Sequence, residues 1–131
     1  MKSRLLAVAA LLLASALAHG QQDYPVRPVR IIVGFAAGGG TDIAARMMGQ
    51  SLAKRFGQNV LVENRPGAGG NIAMQYMISQ PADGYTTMMV SPSAAIASGK
   101  PNPPYNIERD TAPIMFIGDI AVAFYVTPSL P

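Results

Sequence analysis

Val29-Arg30-Ile31-Ile32-Val33, followed at once by Gly34-Phe35-Ala36-Ala37-Gly38-Gly39-Gly40 and then Thr41-Asp42, sets a β-branched run, a glycine loop and a helix start in immediate succession. Val and Ile favour an extended segment at 29–33. Thr and Asp suit a helix N-terminus because their side chains accept from free main-chain N–H groups. From Ile43 the period changes. Ala44, Met48, Leu52 and Phe56 recur every four residues with Ile43 and Met47 beside them, while Arg46, Gln50 and Lys54 fall elsewhere. This spacing predicts an amphipathic helix over 41–56, stopped by Gly57.

The same order is then repeated. Val60-Leu61-Val62-Glu63 reads as a strand and Asn64-Arg65-Pro66-Gly67-Ala68-Gly69-Gly70 as a loop. Asn71 caps a second helix with Ile72, Ala73, Tyr76 and Met77 as its buried stripe, and Pro81 lies just past its end. The turn Asp83-Gly84 leads into a third strand over 85–90. Strand, helix, strand, helix, strand predicts an α/β fold with an open, mainly parallel sheet, flanking helices and right-handed crossovers. Beyond it, 91–98 reads as a short helix, 100–106 as a Pro- and Asn-rich loop, and 114–117 and 122–126 as further strands.

Half of the 131 residues are hydrophobic and 13% are charged, about half the ~25% charge of an ordinary soluble domain. A disordered charged tail is excluded. Part of the apolar excess lies at the start, where Lys2 and Arg4 precede the run Leu5 to Ala14 and Ala16-Leu17-Ala18 forms a small-x-small triplet. That is the layout of a secretory signal peptide, expected at 1–18. Its apolar stretch ends before His19-Gly20-Gln21-Gln22-Asp23, short of the ~20 residues that span a bilayer, so the mature chain is not expected to cross a membrane. Losing Lys2 and Arg4 leaves 8 basic residues against 7 acidic ones, and the formal charge falls from +3 to +1. No basic run remains, so nucleic acid is not an expected partner. The chain has no cysteine, so it has neither a disulfide nor a lipid-bearing cleavage site, and the expected location is the periplasm, untethered.

In an open α/β sheet, ligands bind beyond the carboxyl ends of the strands, and here both clear loops at those ends are glycine-rich and feed a helix. Glycine lets main-chain N–H groups approach a ligand, and a helix N-terminus adds partial positive charge, a combination suited to a carboxylate or phosphate. A nucleotide fits poorly. Residues 34–41 spell G-x-x-x-x-G-G-T, with Gly40 where a P-loop has lysine, and Ile43 stands where a dinucleotide fingerprint needs its third glycine. The sole histidine, His19, cannot serve a hydrolytic triad from the cleavage junction. Met74 and Met77 read as core packing in preference to a copper site. Asp42 and Glu63 read as a helix cap and a strand end in preference to paired acid-base carboxylates. Arg65 suits either an anionic ligand or a partner such as Glu63 or Asp83.

Several stretches together carry a family likeness: Tyr24-Pro25-x-Arg27-Pro28-Val29-Arg30, Gly38-Gly39-Gly40-Thr41-Asp42, Val62-Glu63-Asn64-Arg65-Pro66-Gly67-Ala68-Gly69-Gly70-Asn71 and Asp83-Gly84-Tyr85-Thr86. They resemble the tripartite tricarboxylate transporter substrate-binding family, also called Bug receptors. Val126-Thr127-Pro128-Ser129-Leu130-Pro131 is similar to that family's crossover between lobes. The resemblance implies a periplasmic-binding-protein-like lobe over 19–126, a hinge beginning at 127–131, and a second lobe absent from this chain. It also implies a non-enzymatic receptor without a cofactor, which captures a small carboxylate and delivers it to membrane permease subunits. The ligand-binding residues it implies are Gly39, Gly40, Thr41 and Asp42 in the first loop, Gly67, Ala68 and Gly69 in the second, and Ser91 and Ser93 after the third strand. Ala36-Ala37 replaces a proline pair frequent in the family, which bears on ligand preference. Family chains are longer, so a partial form is expected, whose half-site does not enclose a ligand. The alternatives are a small exported α/β enzyme and a ligand-independent interaction module.

Overall fold

The computed structural model describes residues 24–118. The expected signal peptide, the strand at 122–126 and the hinge at 127–131 lie outside them. Three strands, β1 (Val29–Val33), β2 (Val60–Asn64) and β3 (Thr86–Met89), form a parallel sheet in the order β2-β1-β3. Val29 stands opposite Val60 and Val33 opposite Asn64; on the other side Arg30 faces Thr86 and Val33 faces Met89. The central position of β1 follows from its composition, since Val29, Ile31, Ile32 and Val33 are all buried and a strand covered on both faces needs a continuous apolar run.

Alternation along the strands divides the core in two. Ile31, Val33 and Met89 pack with Ala45 of helix α1 (Gly40–Phe56), joined by Ala44, Met48 and Leu52. On the opposite face Met88 packs against a cluster built from Met74 of α2 (Asn71–Ile78), Ala94 and Ala97 of α3 (Pro92–Ser98), and Tyr105. A short helix, α4 (Ile107–Asp110), follows.

Within these elements the structure corrects several expectations. The stripe of α1 is centred on Ala45 and Gly49, while Ile43 and Met47 are 52% and 66% exposed. Small residues win because they let the helix lie close to β2: a Cβ at Gly49 would sit 3.5 Å from Val60 and 3.6 Å from Val62. Neither Thr41 nor Asp42 caps α1. Gly39 occupies that position, and Asp42, buried in the first turn, reaches back to the Gly38 N–H at 2.8 Å. Likewise Gly70 caps α2, and Asn71 is its first residue. In α2 the buried residues are Ala73 and Met74, whereas Ile72 is half exposed and lies over Gly67.

The loop at 100–106 ends in an anchor that its Pro- and Asn-rich composition concealed. Tyr105 is 4% exposed, donates its hydroxyl to Asn71 Oδ1 at 2.9 Å, and has its phenol pKa pushed up by burial. Asn106 then caps α4 by accepting from the Arg109 N–H at 2.9 Å, a helix that the sequence reading did not include. The expected strand at 114–117 is not one. Ile114, Met115, Phe116 and Ile117 are all exposed and take no regular structure, because β propensity makes a strand only beside a neighbour that pairs with it.

Two polar assemblies hold the sheet. Arg30, the one charged residue of β1, donates to Tyr76 at 3.0 Å, Thr86 at 3.2 Å and Gln80 at 3.3 Å, and lies 3.9 Å from Glu63. At the amino end, Tyr24 donates to the Gly84 carbonyl at 2.7 Å, and Arg27 pairs with Asp83 at 2.7 Å beneath its stack on Tyr85. Residues 24–28 are thereby fastened to the 83–85 turn, at the end of the sheet away from the glycine loops.

Candidate functional site

The chain reverses its direction of travel across the sheet at β1, since β2 lies on one side of it and β3 on the other. Such a reversal opens a crevice at the carboxyl ends of the strands. Three segments converge there: the loop 34–39 after β1, the loop 65–70 after β2, and residues 90–93 after β3.

The first two meet main chain to main chain. A Cβ on Gly34 would lie only 2.8 Å from the Gly70 Cα. The second loop then closes in a left-handed turn, with φ of 137° at Gly67, 48° at Ala68, 65° at Gly69 and 94° at Gly70, and the Gly70 N–H donates to the Gly67 carbonyl at 2.9 Å. Glycine at three of these four places avoids the steric cost that positive φ imposes on other residues. The third segment attaches to this turn: Ser93 donates to the Gly69 carbonyl at 2.9 Å and shares a 2.7 Å hydrogen bond with Ser91, the N-cap of α3.

Each residue implied by the family likeness therefore lies in this convergent rim. Gly39 caps α1, and Gly40, Thr41 and Asp42 make its first turn. First-turn N–H groups have no carbonyl one turn back, and the helix dipole places partial positive charge on them. The space around Gly40 and Gly69 is open: beyond the adjoining chain, no atom lies within 4 Å of a Cβ built at either. Donors beside open space suit an anion.

Asp42 differs from the rest. It is 2% exposed. Its Oδ2 accepts from the Gly38 N–H at 2.8 Å and from Arg46 Nε at 3.0 Å, while Oδ1 accepts from Asn64 Nδ2 at 2.9 Å and lies 2.9 Å from Arg46 Nη2. The Arg46 guanidinium, helped by the Gly38 and Asn64 donors, holds this carboxyl well below the ordinary carboxylate range. Asn64 also donates to the Phe35 carbonyl at 3.1 Å and accepts from Arg46 at 3.1 Å. Arg46 and Asn64 escaped the sequence reading, although the i, i+4 spacing of Asp42 and Arg46 is a recognisable pairing signal. For Arg65 the structure selects one of the two readings: it pairs with Glu63 at 2.6 Å and stacks 3.4 Å over the Tyr76 ring.

Comparison with known proteins identifies the family. The model of the "Tripartite tricarboxylate transporter family receptor" matches residues 44–131. The chain belongs to that family. Among its relatives is protein BugT of Bordetella pertussis, 38% identical over 134 residues, an alignment covering 98% of this chain and 41% of BugT. Among solved structures, a periplasmic transporter is 38% identical with a TM-score of 0.59, over 63% of this chain and 29% of that one. MatC of Rhodopseudomonas palustris, solved with bound malate, is 35% identical with a TM-score of 0.60, over 66% of this chain and 30% of that one. These relatives give the receptor-family chain its fold class, that of periplasmic binding proteins. The chain spans about two fifths of the length of BugT and under a third of each solved chain. Among its described residues no helix is long and apolar enough to cross a membrane.

Proposed function

We propose that this chain supplies one wall of the ligand site in a periplasmic receptor, which captures a small dicarboxylate of the malate class and passes it to the permease subunits of a tripartite tricarboxylate transporter. The observation that carries the reading is the meeting of the α1 N-terminus, the left-handed Gly67–Gly70 turn and the Ser91–Ser93 pair at one open rim. Main-chain N–H groups at Gly39, Gly40 and Thr41 receive one ligand carboxylate. Gly67, Ala68 and Gly69 form the second jaw, and Ser91 and Ser93 provide hydroxyl donors. Binding without a formal cation suits a receptor, which must release its cargo. The bound malate of MatC supports the ligand class, and the family's receptor description supports a transport role over an enzymatic one.

One wall buries only part of a ligand, against the 70–90% typical of a complete site, so the expected affinity of this chain alone is millimolar. The test is a titration of the 15N-labelled chain with malate, and with ATP as comparison, followed by amide shifts. The expected result is saturable movement of Gly39, Gly40, Thr41 and Gly69 with malate. Movement confined to ATP, or none below 50-fold the expected millimolar range, would refute the reading.

A further inference from the structure

We infer that Asp42 is a positioning residue and not a ligand contact: with Arg46 and Asn64 it forms a clasp that fixes the first glycine loop against the end of β2 and presets the amides that receive the anion. This rests on the proposed function for what those amides bind, but the clasp itself is a matter of geometry. A carboxylate offers about four lone-pair directions. Three of those on Asp42 are met by hydrogen bonds from within the chain, at Oδ2 by Gly38 N–H and Arg46 Nε and at Oδ1 by Asn64 Nδ2, and Arg46 Nη2 makes an ion-pair contact with Oδ1 at 2.9 Å. A carboxylate so engaged and only 2% exposed is turned away from a ligand in the open rim, and its charge next to the site would repel an anion unless a cation neutralised it. Arg46 does so with a two-pronged guanidinium contact, the geometry that lysine cannot reproduce.

The partners show what is being held. Gly38 and Phe35 belong to the loop, Asp42 and Arg46 to α1, and Asn64 to the last position of β2. Asn64 uses one amide nitrogen to reach both the Phe35 carbonyl at 3.1 Å and Asp42 at 2.9 Å. Two alanines lie between Phe35 and Gly38 and two glycines follow, so without these ties the loop's entry to α1 would sample many conformations. Holding donors in place before the ligand arrives reduces the entropy lost on binding.

The test compares the wild-type chain with Asn64→Ala and Asp42→Asn by amide hydrogen exchange, and then titrates each with malate. Amides at 38–42 are expected to exchange roughly tenfold faster or more in both variants, as befits loss of a charge-assisted hydrogen bond, while those of Ile31 and Ile32 in β1 keep their protection. Malate affinity falls by a similar factor. Arg46→Lys, which keeps the charge but not the fork, gives an intermediate result. Equal loss of protection in β1 would make the cluster a general stability element and overturn the inference, as would malate binding unchanged in Asn64→Ala. A wild-type chain that ignores malate yet shows the local exchange effect refutes the proposed ligand and keeps the clasp; the reverse pattern refutes the clasp alone.

Discussion

Gly34→Ala is the sharpest probe of how the two glycine loops are joined. A methyl group there meets the Gly70 Cα at 2.8 Å, with Ala73 Cβ and Met88 Cε each at 3.4 Å. Ordinary carbon–carbon contact is about 3.5–4.0 Å, so the two main chains must separate by roughly 0.7 Å or more. Met88 can swing its terminal methyl away. Gly70 cannot yield in that way, because the obstructing atom is backbone and no smaller residue exists to relieve it. Overpacking against a fixed neighbour costs about 2 kcal/mol, which for a folded region of this size lowers Tm by roughly 10 °C. Urea unfolding followed by far-ultraviolet circular dichroism reads the change as a lower midpoint at unchanged slope. Gly70→Ala is the control: it has room, its nearest neighbour being 3.9 Å away, but sits at φ of 94°. It is expected to lose about 1–2 kcal/mol through backbone handedness without moving the loops apart. If Gly34→Ala unfolds within about 0.5 kcal/mol of the wild type, below the range for overpacking, then the close approach of the loops is not what the structure describes.

Other positions make independent demands. At Gly49, where an added methyl finds only ordinary contacts with Val60 and Val62, alanine is expected to stabilise the protein by up to about 1 kcal/mol through helix propensity, measured as a raised urea midpoint; a loss would show that α1 lies closer to β2 than described. Asp42 sets an acid limit. Its folded pKa is depressed, so its contribution is fully present above the unfolded carboxyl value of 3.8 and declines as pH falls below that, down to the folded pKa. Wild-type stability should therefore drop between pH 4 and pH 2 more steeply than that of Asp42→Asn, and parallel profiles would contradict the assignment.

What the sequence disclosed follows its physics closely. The strands at 29–33 and 60–63 were legible because their apolar runs are followed at once by glycine or asparagine, and α1 was legible because apolar residues recur from Ile43 to Phe56. The details that failed depend on distance and not on propensity. Gly49 carries no hydrophobic signal, yet it lies at the centre of the buried face of α1, which turned Ile43 and Met47 outward. Tyr105 lay in a stretch whose prolines and asparagines spoke only of turns, and its burial depends on Asn71 and Ala94, which come well before it in the chain. At the rim, the glycine loops were evident from composition. Arg46 was hidden because an arginine on a helix is ordinarily a solvated surface residue, and only the folded structure sets it beside Asn64.

Arg30 has a further consequence for how the sheet finds its alignment. With apolar residues on both faces of β1, sliding a neighbouring strand by one step would still bury hydrophobic side chains, so packing alone discriminates weakly between alignments. The guanidinium does discriminate. Its donors are matched to Tyr76 and Gln80 on the connection after β2 and to Thr86 on β3, and a shifted strand would carry Thr86 out of reach and lose that bond. A single arginine thus acts as an index mark in an otherwise uniform run of valine and isoleucine, admitting one alignment of three strands and penalising the neighbouring ones.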